Sequence, residues 1–536
     1  MKFAVMSDIH YISPEMIVND ERAAFESAVS RQAIMDVASR EDIDTILITG
    51  DITDSGDKLS HLGMVELLRS VKAMGKRVYV TTATHDFGHH KAYIRKKGDT
   101  EAQFASSPWS MPYFDKDNAD FPGYLKPEFK GMPSEKATPM LEECYAPEEL
   151  WDLYREFGRD DACSADNGSY SYCIDLDDST RCLMLNDNFR NEEALKDKSV
   201  TYSPKCLRWI ARMVKEAKEQ GKFIFACTHH PLVPPSPAYR IGASNRDMRS
   251  PYSAHVLADI GINLVFSGHS HFTDVAFAES EHGNTLCDIT TPSVRFYPPR
   301  YRIVELDGKN GRVAYSTVPV SVPEGMDIGN VPLEAFYRTS MYNEYYSKML
   351  RLKKPLNNFV TEKKVSSFYF LIRHTAKLSN EEYDAVKDIK FFDLVINAVF
   401  NMLTGDGGYT PDTPEYKVLM SLAAVLDSVI DAQPFIDVRK KYLKGYTVKQ
   451  VVEPLCFNNF VPDNEAEIDF TKKPTGKVSS PVFTSHAGGI LMTVICILAV
   501  PLSVFLPPAA IIGIPAAAIS KKKRLADNPP KPNDIY

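Results

Sequence analysis

The chain opens with short apolar runs that alternate with amphipathic stretches. Lys2 to Ser7 reads as a brief buried strand, Asp44 to Asp51 as a second and Arg77 to Thr82 as a third. Between them, Ala24 to Val37 carries apolar residues at helical spacing, and so do Leu59, Leu62, Val65, Leu68 and Met74. Strands that alternate with helices predict an α/β unit with a mostly parallel sheet, its functional residues gathered at the strand carboxyl ends.

The pattern then breaks. Residues 87 to about 160 are rich in Pro, Gly, Lys and Asp, with Trp109, Tyr113, Phe114, Phe121 and Tyr124 interspersed. So long a stretch without periodicity is usually functional or disordered. It reads either as a lid over a neighbouring site or as a surface insertion without a role. The α/β pattern resumes with strands at Ser169–Asp175 and Arg181–Leu185. A helix at Leu207–Ala217 and strands at Lys222–Thr228 and Ile262–Ser267 follow. The expected catalytic unit ends near residue 320.

From 321 to 480 the apolar spacing is helical, at Glu334–Arg351, Asn380–Leu403 and Pro414–Ile430, with Thr413 and Pro414 as N-cap and first helical residue. No metal, nucleotide or catalytic motif stands out there, and a packing or assembly domain is expected. Val478 to Ser520 then holds no Asp, Glu, Lys or Arg. Its apolar part, 488–520, is long enough for a membrane segment, which needs about 20 residues. A basic polar tail, 521–536, follows and opens with Lys521-Lys-Lys-Arg524. Basic residues flank the tract on both sides and favour the cytoplasm. A hairpin bending at Pro507-Pro508 and a single span both remain open.

Composition narrows the classes. A chain of 536 residues exceeds one core, and its 44% hydrophobic and 25% charged content is ordinary for globular protein. A net charge of −8 argues against a general nucleic-acid binder. Nine scattered cysteines without a C-x-x-C pair suit a reducing compartment. One bridge among Cys163, Cys173 and Cys182 stays open. Only Phe3 to Met6 separate Lys2 from Asp8, too short for a signal's apolar stretch. The expected location is therefore the cytoplasmic face of a membrane, held by the C-terminal tract.

The chemistry lies at the ends of the predicted strands. In order come Asp8 and His10 in Ser7-Asp-Ile-His10, then Asp51 and Asp54 in Gly50-Asp-Ile-Thr-Asp54. His85 follows in Ala83-Thr-His-Asp86, then His229 in Thr228-His-His-Pro231, then His269 and His271 in Gly268-His-Ser-His271. Carboxylates and imidazoles together suit divalent metals of intermediate hardness. Each piece alone has many chance matches; their order and placement make the signal.

This series resembles the calcineurin-like metallophosphoesterase family, and within it most the bacterial Icc/CpdA-type cyclic-nucleotide phosphodiesterases. The family pattern runs D-x-H, G-D-x-x-D, G-N-H-D/E, H, G-H-x-H. The likeness covers about residues 1–308, including Ile289-Thr-Thr-Pro-Ser293 and Tyr301-Arg-Ile-Val-Glu-Leu-Asp307. It implies a two-sheet β-sandwich flanked by helices, and two metal ions bridged by one Asp, here Asp51. Asp8, His10 and His271 would hold the first ion; His229 and His269 would hold the second. The second ion's Asn is replaced by Thr84, and the Gly before it by Ala83. Thr84 is a shorter, poorer ligand, so occupancy of the second site stays open. Asp86, His89, His90 and His230 stand near enough in sequence to substitute.

The resemblance makes His85 the general acid, with Asp54 fixing its tautomer. The mix of His and carboxylate donors favours Mn, Fe or Zn over Mg as the divalent pair. The expected function is a metal-dependent phosphohydrolase, most specifically a phosphodiesterase. Its partners are a phosphoester substrate and, through the tail, membrane lipid. A cyclic nucleotide follows from likeness alone; the tail equally suits a lipid headgroup or an isoprenoid phosphate. The competing class is a membrane-anchored scaffold or binding protein with a degenerate site.

Overall fold

The computed structural model describes residues 1–17, 21–87, 104–105, 136–137, 144–188, 201–233, 252–350, 361–405, 408–431, 446–457 and 462–472. The apolar tract at 488–520, the basic tail, most of the 87–160 insertion, His89 and His90 lie outside them. Among the described residues no helix is long and apolar enough to cross a membrane.

Two sheets face each other. In the first, β1 (Lys2–Met6), β2 (Thr45–Ile48) and β3 (Arg77–Val80) run parallel. The crossovers between them are α1 (Glu21–Ala38) and α2 (Lys58–Ala73). After the small pair β4 (Phe104–Ala105) and β5 (Lys136–Ala137) and a short helix α3 (Pro147–Leu153), the second sheet begins. It contains β6 (Ser164–Asp166), β7 (Ser171–Asp177), β8 (Thr180–Met184), β9 (Phe223–Cys227) and β10 (Leu264–Ser267), with α4 (Pro204–Glu219) and α5 (Tyr252–Ile260) between. It is completed by β11 (Asp274–Glu279) and β12 (Thr285–Thr290) and has the order β11-β12-β10-β9-β8-β7-β6. The chain then returns through β13 (Arg300–Asp307), antiparallel beside β1, and β14 (Arg312–Pro319), antiparallel beside β13.

The alternation of β1 shows why its sequence is apolar throughout. Phe3 and Val5 point into the core between the sheets, where they meet Phe225 and Phe266. Ala4 and Met6 point the other way, into a core shared with α1 and α2. A strand covered on both faces has no polar side to show. The outer face of the second sheet is covered in turn by α4 and α5.

The helical run after 321 contains α6 (Leu333–Leu350), α7 (Tyr369–Thr375), α8 (Asn380–Val386), α9 (Phe391–Thr404), α10 (Pro414–Ile430) and α11 (Val448–Cys456). The predicted Asn380–Leu403 helix is two helices. Between them Lys390 turns extended and bridges to Lys364, and the Ile389 carbonyl accepts from Val365 N. This region also supplies β15 (Glu465–Asp469), which pairs with β14 and forms the edge of the first sheet. Its helices share their core with the first sheet. In α2 the buried face is Met64, Val65, Leu68 and Val71 with Ser60 and His61, whereas Leu59, Leu62 and Met74 are exposed. Eight described cysteines, Cys163, Cys173 and Cys182 among them, are free thiols.

Candidate metal centre

Five of the sequence-predicted ligands share an unusual backbone. Asp8 (φ 52°), His10 (49°), Asp51 (48°), His269 (60°) and His271 (60°) are all left-handed. Non-glycine residues adopt this conformation uncommonly, Asp and His more readily than most. Held by the surrounding structure, it is a form of local strain that clusters at functional sites. It lets residues just past the strand ends turn their side chains toward one point. The loops after β1 and β2 run side by side: Asp8 N donates to Gly50 O at 3.1 Å and His10 N to Asp51 O at 2.9 Å.

Two glycines let these loops close up. A Cβ on Gly268 would lie 1.7 Å from Ser7 Oγ and 2.6 Å from Asp8 Oδ2. Gly50, at φ +107°, would meet Ala83 and the His229 ring. The strand ends of both sheets thus approach more closely than any side chain allows.

The side chains converge as three overlapping sets of potential ligands. Asp8, His10 and His271 form one; His10, Asp51 and His85 a second; Asp51, His229 and His269 a third. In each set the ligand atoms lie within 4.8 Å of one another. Asp51 Oδ2 lies 3.1 Å from His229 Nε2 and 3.8 Å from His10 Nε2. Asp8 Oδ1 is 3.1 Å from His271 Nε2 and 3.6 Å from His10 Nε2. Burial disfavours charge on Asp8 and Asp51, but the clustered imidazoles prevail and hold both carboxyls well below the usual range. Burial likewise opposes charge on His229, and Asp51 and Asp8 overrule it, pushing the imidazole up to about 10.

The donor set fits bound cations. Both ring nitrogens of His10 are buried and, among the described residues, lack a hydrogen-bond partner. Buried polar atoms are rarely left so unless an ion or another partner answers them. His229 is already oriented for ligation, because its Nδ1 faces Thr49 O at 3.0 Å and leaves Nε2 toward Asp51. Such a backbone contact sets the tautomer of a ligating imidazole.

Thr84 and His85 sit on a 3-10 turn, Thr84–Asp86. Thr84 Oγ1 donates to Asp51 Oδ1 at 3.4 Å, and His85 N donates to the same oxygen at 2.8 Å. His85 Nδ1 meets the backbone carbonyl of Asp54 at 2.8 Å. The Asp54 carboxylate accepts from Arg295 Nη1 at 2.9 Å and from Ser55 Oγ at 2.8 Å. The His10 and His85 rings meet edge-on, centroids 4.6 Å apart.

Of the candidate substitutes, Asp86 caps its own turn. It accepts from Ala83 N at 2.7 Å and Thr53 N at 2.8 Å, and burial, then Asp51, push its carboxyl up to about 7. His230 pairs with Asp187 at 3.0 Å and lies against His269, ring centroids 4.1 Å apart.

Three residues that the motifs did not single out matter here. Asp187 accepts from His230 N and Thr228 Oγ1 and braces the His229 loop. Like Asp8 and Asp51, it is an acid just past an apolar strand, a signal already in the sequence. Arg295 is buried between Glu26 and Asp54 and also donates to His10 O. Phe296 stacks on His271, with centroids 5.2 Å apart and planes 14° from parallel. Both lie inside the Ile289–Asp307 stretch.

A profile of the calcineurin-like phosphoesterase family matches residues 1–272. The chain belongs to that family, and it is a metallophosphoesterase. No curated protein sequence matches it. Among solved structures it is similar to a dimetal phosphatase from Danio rerio, at 12% identity and TM-score 0.36, over 60% of this chain and 99% of the other. It is similar to a purple acid phosphatase from yellow lupin (Lupinus luteus) seeds, at 11% and 0.31, over 61% and 52%. A putative 5'-nucleotidase from Staphylococcus aureus, in complex with alpha-ketoglutarate, is similar at 12% and 0.31, over 74% and 71%.

Proposed function

We propose that the protein is a phosphodiesterase working at a binuclear centre. Asp8, His10 and His271 would hold one divalent ion, His229, His269 and Thr84 would hold the other, and Asp51 would serve both. The observation that carries this reading is Asp51 itself, which belongs to two ligand sets, one with His229 and His269 and one with His10. Bound there, two ions supply Lewis-acid charge and lower the pKa of a water to about 7.

The chain's own residues do the rest. Asp51 and Asp8 carry the negative charge that holds cations beside an anionic substrate. His85 turns Nδ1 to the Asp54 carbonyl, which leaves Nε2 as the atom to deliver a proton to the leaving alkoxide. Arg295 joins Asp54 to Glu26 and keeps that turn in place. A second reading has a specific observation behind it: His85 lies within ligand distance of His10 and Asp51, and there it would bind metal instead.

The substrate follows from likeness and from the tail. The Icc/CpdA-like motif order favours a cyclic nucleotide. The apolar tract at 488–520 favours a membrane-held enzyme on a lipid headgroup or isoprenoid phosphate, with its catalytic part cytoplasmic. The test is metal analysis of purified protein together with turnover of bis(4-nitrophenyl) phosphate and of a panel of these substrates with added Mn²⁺. About two ions per chain with turnover support the proposal. Protein that holds no metal and turns over nothing is the scaffold of the competing class. For the tail, a high-salt wash that releases the protein from membranes rules out the anchor.

A further inference from the structure

A cavity of about 410 Å³ opens in front of the candidate centre. That is enough room for a small organic ligand. Its inner wall is His10, Asp51, His85 and His271. Its outer wall is built by α1 and α6, with Phe25 from the first helix and Tyr337, Ser340, Met341 and Tyr345 from the second. Helix α6 begins at Leu333, beyond the 1–272 stretch that matches the family profile. The α6 side of the wall therefore lies outside the stretch that the family profile covers, and the α1 side lies within it.

Phe296 joins the two walls. Its ring lies 5.2 Å from the His10 ring and 5.2 Å from the His271 ring. On the outer wall Phe25 and Tyr337 pack against each other, ring centroids 5.9 Å apart. Among the described residues, this wall gives the organic half of a phosphoester bound at the ligand cluster an apolar surface to meet.

The polar groups of the wall are mostly engaged with one another. Arg22 binds Glu26 at 2.6 Å and approaches Glu344 at 3.8 Å, which ties α1 to α6. The Tyr337 hydroxyl differs. Tyr337 is 8% exposed, and among the described residues its oxygen has no hydrogen-bond partner. A buried tyrosine usually finds one. Burial, more than the charges of Glu26, Arg295 and Arg22, holds this hydroxyl protonated well above the usual tyrosine range.

We propose that the α1–α6 wall selects the organic half of the substrate. It takes a flat aromatic group that packs along Phe296 and Met341 and carries a hydroxyl that pairs with Tyr337. The assignment rests on the phosphohydrolase reading only for where the phosphorus sits. A pocket built to hydrogen-bond a ligand hydroxyl discriminates strongly against the analogue that lacks it.

The test uses the full-length, Mn²⁺-loaded protein and three non-hydrolysable probes, followed by titration calorimetry. Methylphosphonate, phenylphosphonate and hydroxyphenylphosphonates share the phosphorus group and differ only in what reaches the wall. Phenylphosphonate should bind at least about tenfold tighter than methylphosphonate, from aromatic packing. One hydroxyphenyl isomer should gain about another tenfold, and Tyr337→Phe should bring its ratio to phenylphosphonate back to about one. Should Tyr337→Phe fail to fold, Met341→Trp narrows the same cavity and must weaken phenylphosphonate more than methylphosphonate. Turnover of bis(4-nitrophenyl) phosphate is followed on the same preparation. Active enzyme that binds methyl and phenyl probes equally overturns the cavity assignment alone. Aryl preference without turnover supports the cavity and overturns the phosphohydrolase reading. Neither binding nor turnover overturns both.

Discussion

Asp51 reaches across the sandwich to His229. Its Oδ2 lies 3.1 Å from His229 Nε2, although Asp51 follows β2 of the first sheet and His229 follows β9 of the second. The site therefore exists only when the two sheets are packed. Two of the three ligand sets draw on both sheets, while His10, Asp51 and His85 come from the first sheet alone.

The first prediction concerns this bridging position. Asp51→Asn keeps the size of the side chain and removes its charge. Turnover should fall by more than about a hundredfold, and metal content should drop at both positions, because one carboxylate serves both sets. Metal analysis and kinetics on the same sample check it. Wild-type turnover in the variant would remove Asp51 from the centre.

His85 separates two chemistries. As an acid it matters when the leaving group is a poor one. His85→Ala should slow hydrolysis of alkyl phosphodiesters by about 10²–10⁴-fold and of nitrophenyl esters far less, since nitrophenolate leaves without a proton. Equal losses on both substrates, accompanied by lost metal, would mark His85 as a ligand instead.

Much of the site was legible because its residue types and its strand ends coincide. Apolar runs that stop at an acid or a histidine located β1, β2, β9 and β10 together with the candidate ligands that follow them. The sequence was a poorer guide where tertiary partners decide. In α2, spacing favoured Leu59 and Leu62 as core, yet the helix buries Ser60 and His61. Ser60 Oγ accepts from Ser13 N at 2.9 Å, and His61 Nδ1 meets the Tyr154 hydroxyl at 2.8 Å. Polar groups with such partners can be buried, and the leucines turn outward. Strand β15, Glu-Ala-Glu-Ile-Asp, looks like an acidic loop and becomes a strand only by pairing with β14, about 150 residues earlier. Nor could any local signal place α6 at the cavity, since that rests on contacts with α1 such as Arg22–Glu344.

Thr84 tests the departure from the family pattern at a ligand position. Its hydroxyl donates to Asp51 Oδ1 at 3.4 Å, a long contact. Thr84→Asn offers a longer arm and a carboxamide oxygen. The metal concentration for half-maximal activity should fall, read by titrating Mn²⁺ against rate. An unchanged titration means that another donor already serves there.

Glu26 gives a pH-dependent prediction. Burial raises its pKa, but Arg295 and Arg22 outweigh burial and hold the carboxyl down to about 2. A depressed carboxylate stabilises the fold fully above its unfolded pKa, near 4.5, and loses that contribution as pH falls toward 2. Glu26→Gln should cost about 3 kcal/mol at pH 7, in the range for removing one partner of a buried ion pair. The gap between variant and wild type should shrink at pH 3.5. Urea unfolding at the two pH values measures it, and a pH-independent difference would show that the pair contributes through packing alone.

Gly268 is the last test, and it concerns how the two sheets meet. A Cβ there would come within 1.7 Å of Ser7 Oγ and 2.7 Å of Ser7 Cβ, so the loops after β10 and β1 must separate in Gly268→Ala. His269 N donates to Asp8 Oδ2 at 2.8 Å across that contact, and His271 reaches Asp8 Oδ1 at 3.1 Å. Separation would pull Asp8 away from both histidines. The variant should lose metal affinity and several degrees of melting temperature, in keeping with a strained core contact. Ser7→Gly removes two of the three atoms in the way and leaves Asp8 Oδ2 at 2.6 Å. In the double variant the two losses should therefore fail to add, with part of the metal binding restored, as expected for residues in direct contact. Strictly additive effects in this cycle would mean that Gly268 is needed for its own backbone rather than for the approach of Ser7.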